Sequence, residues 1–98
     1  MDNKLPNCEK ARIDDSKLYQ YLLNPTHPDG KSKARFFEHI GYTLDKGEQL
    51  RTDLLRLACT GSVVDESANR AGHKYIVVGS MEAPNGKTYP FRLITNRD

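Results

Sequence analysis

Apolar residues recur at the helical spacing of three and four positions along the first part of the chain. This spacing predicts a first helix that begins at Asp15, a favourable N-cap residue. The helix ends before Pro25, because proline pushes the preceding residue out of the α region. A second helix is predicted over residues 33–40, with Ser32 as its N-cap and Gly41 at its end.

A third helix is predicted to begin at Asp45, because Glu48 follows three residues later in the pattern of a capping box. Leucines then repeat at helical spacing until Thr60-Gly61 closes the helix. Residues 26–31 hold two prolines and one glycine and are predicted as a loop between the first two helices. Residues 11–13 are predicted as a short strand before the first helix.

After Gly61 the pattern changes from helical to extended, with a polar loop predicted at 66–72. The segments predicted to be strands are 62–65, 74–79 and 88–95. Pro84-Asn85-Gly86 indicates a hairpin turn before the last strand, in which Pro90 favours an edge position or a bulge. The sequence therefore predicts an α+β fold, with N-terminal helices packed on a small C-terminal antiparallel β-sheet that includes a β-hairpin.

The length of 98 residues predicts a single α+β domain over residues 11–98, preceded by a flexible N-terminus at 1–10. A net charge of +2 is too small to identify a nucleic-acid-binding protein without local clustering. Cys8 and Cys59 form no CxxC pair, so we expect a reduced, cytoplasmic protein without a disulfide or a zinc site. No signal peptide, membrane span, metal motif or cofactor motif is recognisable, so neither metal nor cofactor nor membrane is expected.

Positive charge is concentrated where the second helix begins, in the segment NPTHPDGKSKARFF. Phe36, Phe37 and Ile40 are predicted to form the buried stripe of this helix. Lys33 lies three residues before Phe36 and four before Phe37, and therefore at the upstream end of that stripe. The basic residues of the neighbouring face follow at four-residue spacing: Lys31, Arg35 and His39. The cluster is either a solvated face, with Lys33 extended over the phenylalanines, or a site that receives an anion at the helix start.

Individual residues leave similar alternatives open. His27 either caps its turn or acts as an acid or base, since imidazole suits proton transfer near neutral pH. His39 has a structural explanation in the last helical turn, where a cation complements the helix dipole. The candidate contacts to a nucleic-acid phosphate on the strands are Tyr75, Arg92 and Arg97.

Three stretches, LPNCEKARID, KLYQYLLNPTHPDGKSKARFFEHIGY and LRTDLLRLACTG, resemble an uncharacterised family of small bacterial proteins. The hallmark of that family is similar to LLNP-HP-G-KA-FF--GY, here Leu22 to Tyr42. The resemblance covers nearly the whole chain and implies a toxin of the toxin–antitoxin or polymorphic-toxin type. It also implies a small, acidic antitoxin or another protein as partner.

A more distant similarity is to the nuclease superfamily of barnase, EndoU, the tRNA-cleaving colicins and RelE, which place helices before an antiparallel sheet. The similarity implies a metal-independent ribonuclease acting on an RNA substrate. In it, His27 would be acid or base, Lys31, Lys33 and Arg35 would stabilise charge, and Arg92 is a possible addition.

Members of that superfamily carry a further strand after the hairpin. The present sequence reaches Arg97-Asp98 without a segment that predicts such a strand. The alternative is therefore a non-catalytic protein-binding module, such as a phage- or plasmid-encoded inhibitor or the partner half of a complex. The basic cluster would then bind an acidic protein surface, and the last strand would offer an open edge.

Overall fold

The computed structural model describes residues 3–70 and 72–97, with only the backbone described for Asn96 and Arg97. The predicted α+β fold is confirmed. Three helical elements, two short 3₁₀ turns and three strands follow in chain order: the 3₁₀ turn Cys8–Lys10, α1 Asp15–Lys17 continuing as a π-helical turn over Leu18–Leu22, α2 Lys31–His39, the 3₁₀ turn Leu44–Lys46, α3 Gly47–Thr60, β1 Ser62–Asn69, β2 Gly72–Glu82 and β3 Thr88–Arg97. No helix in the described part of the chain is long and apolar enough to cross a membrane.

The helices differ from the sequence predictions mainly at their starts. Residues 11–13 form no strand. Helix α2 begins at Lys31, and Gly30, not Ser32, is its N-cap. The predicted capping box is wrong, because the Glu48 carboxylate accepts hydrogen bonds from Tyr19 and Arg51 instead of closing on the helix start.

The three strands form an antiparallel sheet in the order β1-β2-β3. The predicted Asn-Gly turn between β2 and β3 is confirmed: Gly86 has a φ of 85° and its N–H donates to the carbonyl of Ala83. The predicted loop at 66–72 is largely strand, since β1 pairs with β2 as far as Asn69 opposite Gly72. Strand β3 pairs with β2 alone, which confirms the edge position inferred from Pro90.

Helices α2 and α3 cover one face of the sheet and enclose the main core. Phe37 of α2 stacks on Phe91 of β3, with ring centroids 6.2 Å apart. The side chains buried completely in this core are Tyr42, Leu18, Ile40 and Leu50, and Val77 is buried completely in a smaller cluster beside it. Phe36, predicted to share the buried stripe, is 40% exposed, although its ring contacts Tyr89 and Phe91.

The expectation that the chain contains no disulfide is wrong, because Cys8 and Cys59 are bonded to each other. They lie 51 residues apart, and the 3₁₀ turn at Cys8 brings the first next to the end of α3. Residues 3–10, predicted as part of a flexible N-terminus, are attached to the domain through this bond and through Leu5, which is 5% exposed. The cytoplasmic location stays a prediction.

Candidate functional site

His27 lies in the loop between the π-helical turn and α2, where its ring holds the loop together. Its Nδ1 accepts hydrogen bonds from the backbone N–H groups of Asp29 and Gly30, both at 3.0 Å. Because Nδ1 acts as an acceptor, the proton of the neutral ring lies on Nε2. His27 is therefore a cap for its own loop, with one N–H left to donate.

The rest of the loop is fixed by similar local contacts. The Asn24 side-chain oxygen accepts from the backbone N–H and the hydroxyl of Thr26, at 2.9 and 2.7 Å. Gly30 lies so close to the preceding turn that a Cβ atom there would be 2.4 Å from the carbonyl oxygen of Tyr21. The fixed spacing of Asn, His and Gly in this segment thus serves the geometry of the turn.

Helices α1 and α2 each bring one lysine to an aromatic ring of the π-helical turn. Lys17 Nζ lies 4.3 Å and Lys33 Nζ 5.6 Å from the centroid of the Tyr21 ring. The His27 ring meets the same tyrosine edge to face, with centroids 5.0 Å apart. We call these four residues, Lys17, Tyr21, His27 and Lys33, the Tyr21 cluster. Lys33 thus lies over Tyr21, whereas the solvated-face interpretation had placed it over the phenylalanines.

The positive charge of the Tyr21 cluster has no acidic partner among the described residues. The basic side chains that do form ion pairs there are Arg51, Arg56 and His73. Neither Lys17 nor Lys33 forms an ion pair with a carboxylate of the described residues, and both side chains are exposed. The nearby carboxylate of Asp15 binds Arg51, so it leaves Lys17 unneutralised. The cluster is a local excess of positive charge on a chain of nearly balanced composition.

The remaining basic residues of α2 do not join the Tyr21 cluster. Successive residues of a helix are rotated by about 100°, so Lys31 and Arg35 lie on a different flank from Lys33. Both are exposed and form no ion pair with another described residue. His39 is exposed in the last turn of α2, at the opposite end from the cluster. The predicted basic surface is therefore divided between two flanks of the helix.

Of the residues predicted on the strands, Tyr75 and Arg92 do not converge with the cluster, and the side chain of Arg97 lies outside the described part of the chain. Tyr75 is 8% exposed, on the face of the sheet that the helices cover, so it offers little surface to a phosphate. Arg92 pairs with Val78, one residue from the buried Val77–Leu93 pair, so it lies on the uncovered face of the sheet. Arg97 ends β3 opposite His73.

Lys17 and Tyr21 were missed by reasoning from the sequence. Their four-residue separation on a helical segment is the signal that indicates contact between a cation and an aromatic ring. Their approach to Lys33 depends on how the loop folds back, which no spacing shows. The arrangement offers cationic and N–H donors around a ring, and it includes no carboxylate positioned as a base.

The described residues form no metal site at the cluster, and two surface cavities lie away from it. The described residues include no group of three or more His, Cys, Asp or Glu side chains that could hold a metal ion. Two surface cavities of about 390 Å³ lie elsewhere, one between α3 and the end of β2 and one beside the N-terminal segment. An exposed, basic surface with an aromatic ring suits an extended, anionic ligand better than a small enclosed one.

No curated protein and no solved structure shows significant similarity to this chain. The sequence does match a family described as a domain of unknown function (DUF6883), and the match extends over residues 4–94. The matched part contains all three helices, the cluster and nearly the whole sheet. The resemblance to an uncharacterised family is thereby confirmed, whereas the likeness to the nuclease superfamily stays a prediction. The chain belongs to the DUF6883 family.

Proposed function

We propose that this protein is a toxin of the toxin–antitoxin or polymorphic-toxin type that binds and cleaves RNA without a metal. The observation that supports this proposal is the Tyr21 cluster, in which two lysine ammonium groups surround one ring without an acidic partner among the described residues. The phosphodiester backbone of RNA is the anion proposed to occupy it. The order of elements, helices before an antiparallel sheet, is compatible with the ribonuclease resemblance.

The reaction proposed is attack of a ribose 2′-OH on its own phosphodiester, in which the O2′–P bond forms as the P–O5′ bond breaks. Solvent water takes the proton of the 2′-OH and supplies one to the leaving 5′-oxygen, and the products are a 2′,3′-cyclic phosphate and a free 5′-hydroxyl. Negative charge grows on the phosphate oxygens in the transition state, where Lys17 and Lys33 would stabilise it. The Nε2–H of His27 is assigned to hydrogen-bond donation. Its Nδ1 could accept a proton only by breaking two hydrogen bonds of the loop. Lys31 and Arg35 are assigned to the flanking phosphates.

A cleavage assay tests this proposal. Wild-type protein is incubated with total cellular RNA in EDTA, beside a Lys17→Ala/Lys33→Ala variant. The control, Lys74→Ala/Lys87→Ala, removes the same charge from exposed lysines away from the cluster. We expect fragments with 2′,3′-cyclic phosphate ends from the wild type and the control, and cleavage slower by at least about 100-fold with the cluster variant. Intact RNA with the wild type, or equal cleavage by both variants, would contradict the proposal.

A second candidate function, a non-catalytic protein-binding module, is favoured by the free edge of β3. Among the described residues this strand pairs only with β2, and Phe36, which is 40% exposed, places its ring against Tyr89 and Phe91 of the same strand. An extended segment of a small acidic protein could add to such an edge through main-chain hydrogen bonds. The unpaired lysines would then steer its association.

Substitution of an exposed apolar residue tests the second candidate. Phe36→Ala is expected to weaken binding of a small acidic protein encoded beside this one by at least about tenfold, as a central aromatic contact does. Val64→Ala on β1, 57% exposed and far from β3, is the control and should leave the affinity unchanged. Equal affinities of both variants in titration calorimetry would argue against the β3 edge as the binding surface.

A further inference from the structure

Residues 3–10 form a strap that is attached to the domain at several separate points. The N–H of Val63 in β1 donates to the carbonyl of Asn3 at 2.6 Å, and Lys4 Nζ donates to the carbonyl of Thr60 at 2.8 Å. The disulfide then fixes Cys8 to Cys59, near the end of α3. The strap thus crosses the junction between α3 and β1.

Beneath the strap lies a small apolar cluster that is separate from the main core. Leu5 covers Ala58, Tyr75 and Val77, and all four side chains are buried. A cavity of about 390 Å³ runs beside the strap, lined by Asn3, Lys4 and Pro6 on one side and by β1 on the other. Besides the covalent bond, the strap is thus attached through Leu5 and through the two hydrogen bonds of Asn3 and Lys4, and a cavity borders it.

We infer that the Cys8–Cys59 disulfide is a redox-controlled latch for this strap. The inference is independent of the proposed ribonuclease activity. Both cysteines are partly exposed, so a reductant can reach them. The main core around α2 and α3 includes no residue of the strap, so the domain persists when the strap detaches. Detachment uncovers Tyr75, Ala58 and the first N–H groups of β1.

The step that opens the latch is a thiol–disulfide exchange with a dithiol reductant. One thiolate of the reductant attacks a sulfur of the Cys8–Cys59 bond, and the other cysteine leaves as a thiolate. The second thiolate of the reductant then displaces the mixed disulfide and closes a disulfide within the reductant. Two electrons pass to the protein, whose two cysteine sulfurs take up protons. Re-oxidation reverses these steps and restores the strap.

Hydrogen exchange followed by mass spectrometry tests the latch on the full chain, with and without dithiothreitol and with a Cys8→Ser/Cys59→Ser variant. On reduction, amides of residues 3–10 and of Val63 should exchange at least tenfold faster, while those of α3 and of the β2–β3 hairpin stay protected. Trypsin should cut after Lys4 and Lys10 in the reduced protein and in the variant, and not in the oxidised protein.

Three outcomes would overturn the inference. Unchanged protection of the strap on reduction would mean that Leu5 and the hydrogen bonds hold it without the disulfide. Loss of protection throughout the molecule would make the bond a staple of the whole fold. Rapid exchange of residues 3–10 in the oxidised protein would show that no latch exists. If the double serine variant does not fold, the reduced wild type gives the same comparison.

Discussion

His27 combines a structural and a chemical feature in one side chain. Its position in a loop of the basic segment makes it a candidate acid or base from the sequence. The two N–H groups that donate to Nδ1 make it a cap, and the same contacts direct the remaining N–H away from the loop backbone. Under the proposed function, this remaining N–H donates to a phosphate oxygen of the RNA.

Tyr42 is the residue whose ionisation is coupled most strongly to folding. The pKa of this phenol is raised above its ordinary value of about 10. The largest cause is burial, followed by the hydrogen bond that the hydroxyl donates to Asp53 at 2.6 Å and by the negative charge of Asp53. A raised pKa in the folded state means that the neutral phenol stabilises the fold fully below about pH 10. This stabilisation is lost as the pH rises further.

Alkaline titration of phenolate absorbance checks this. Subtracting the titration curve of Tyr42→Phe from that of the wild type isolates the Tyr42 phenol. This phenol should ionise above the ordinary pH range of tyrosine and at the pH where the protein unfolds. At neutral pH, Tyr42→Phe should lower the free energy of unfolding by about 1–3 kcal/mol, since Asp53 loses a buried donor. A difference spectrum with an ordinary tyrosine midpoint and no accompanying unfolding would contradict the assignment.

At the scale of elements, the loop between the π-helical turn and α2 depends on the His27 ring. We predict that His27→Ala lowers the free energy of unfolding by about 0.5–1.5 kcal/mol, because an exposed and a partly buried backbone N–H lose their acceptor. The control His39→Ala, an exposed residue of α2, should change stability by within about 0.5 kcal/mol. Equal midpoints of both variants in urea would show that the cap contributes nothing.

Helix periodicity and turn residues predicted most elements because those signals are local. The Phe37–Ile40 stripe, the glycine end of α2 and the Asn-Gly turn follow from neighbouring residues. Strand β1 extends further than predicted, because pairing with β2 keeps its polar, exposed end extended. Helix α2 begins at Lys31 and not at the predicted residue 33, because the His27 cap and the close approach of Gly30 to Tyr21 determine where the helix starts.

The parts that the sequence did not predict depend on contacts between distant segments. The Cys8–Cys59 pair joins a 3₁₀ turn to the end of α3, which spacing alone cannot show. Tyr75 was expected on an accessible surface, yet the strap buries it through Leu5. Half of the Tyr21 cluster, His27 and Lys33, was found from the basic segment. The other half lies on the preceding helical turn.

At the scale of the whole molecule, the two faces of the sheet have different surroundings. Helices cover one face, and on the other Arg92 lies among exposed residues such as Ile94. The Tyr21 cluster belongs to the helical side, so Arg92 and Lys33 cannot contact the same phosphate. The net charge of +2 conceals this distribution, because most other charges are balanced. The positive potential is local, and any RNA must approach α2 and the turn before it.

The salt dependence of binding tests the central claim most directly. Affinity for a single-stranded RNA that carries 2′-O-methyl groups, and so cannot be cleaved, is measured over a range of salt concentrations. Affinity falls with salt, and each phosphate contact steepens the slope of log affinity against log salt concentration by about 0.7. The slope of the Lys17→Ala/Lys33→Ala variant should therefore be shallower than that of the wild type by up to about 1.4. The Lys74→Ala/Lys87→Ala control should keep the wild-type slope. Equal slopes for the wild type and the cluster variant would contradict a phosphate site at Tyr21.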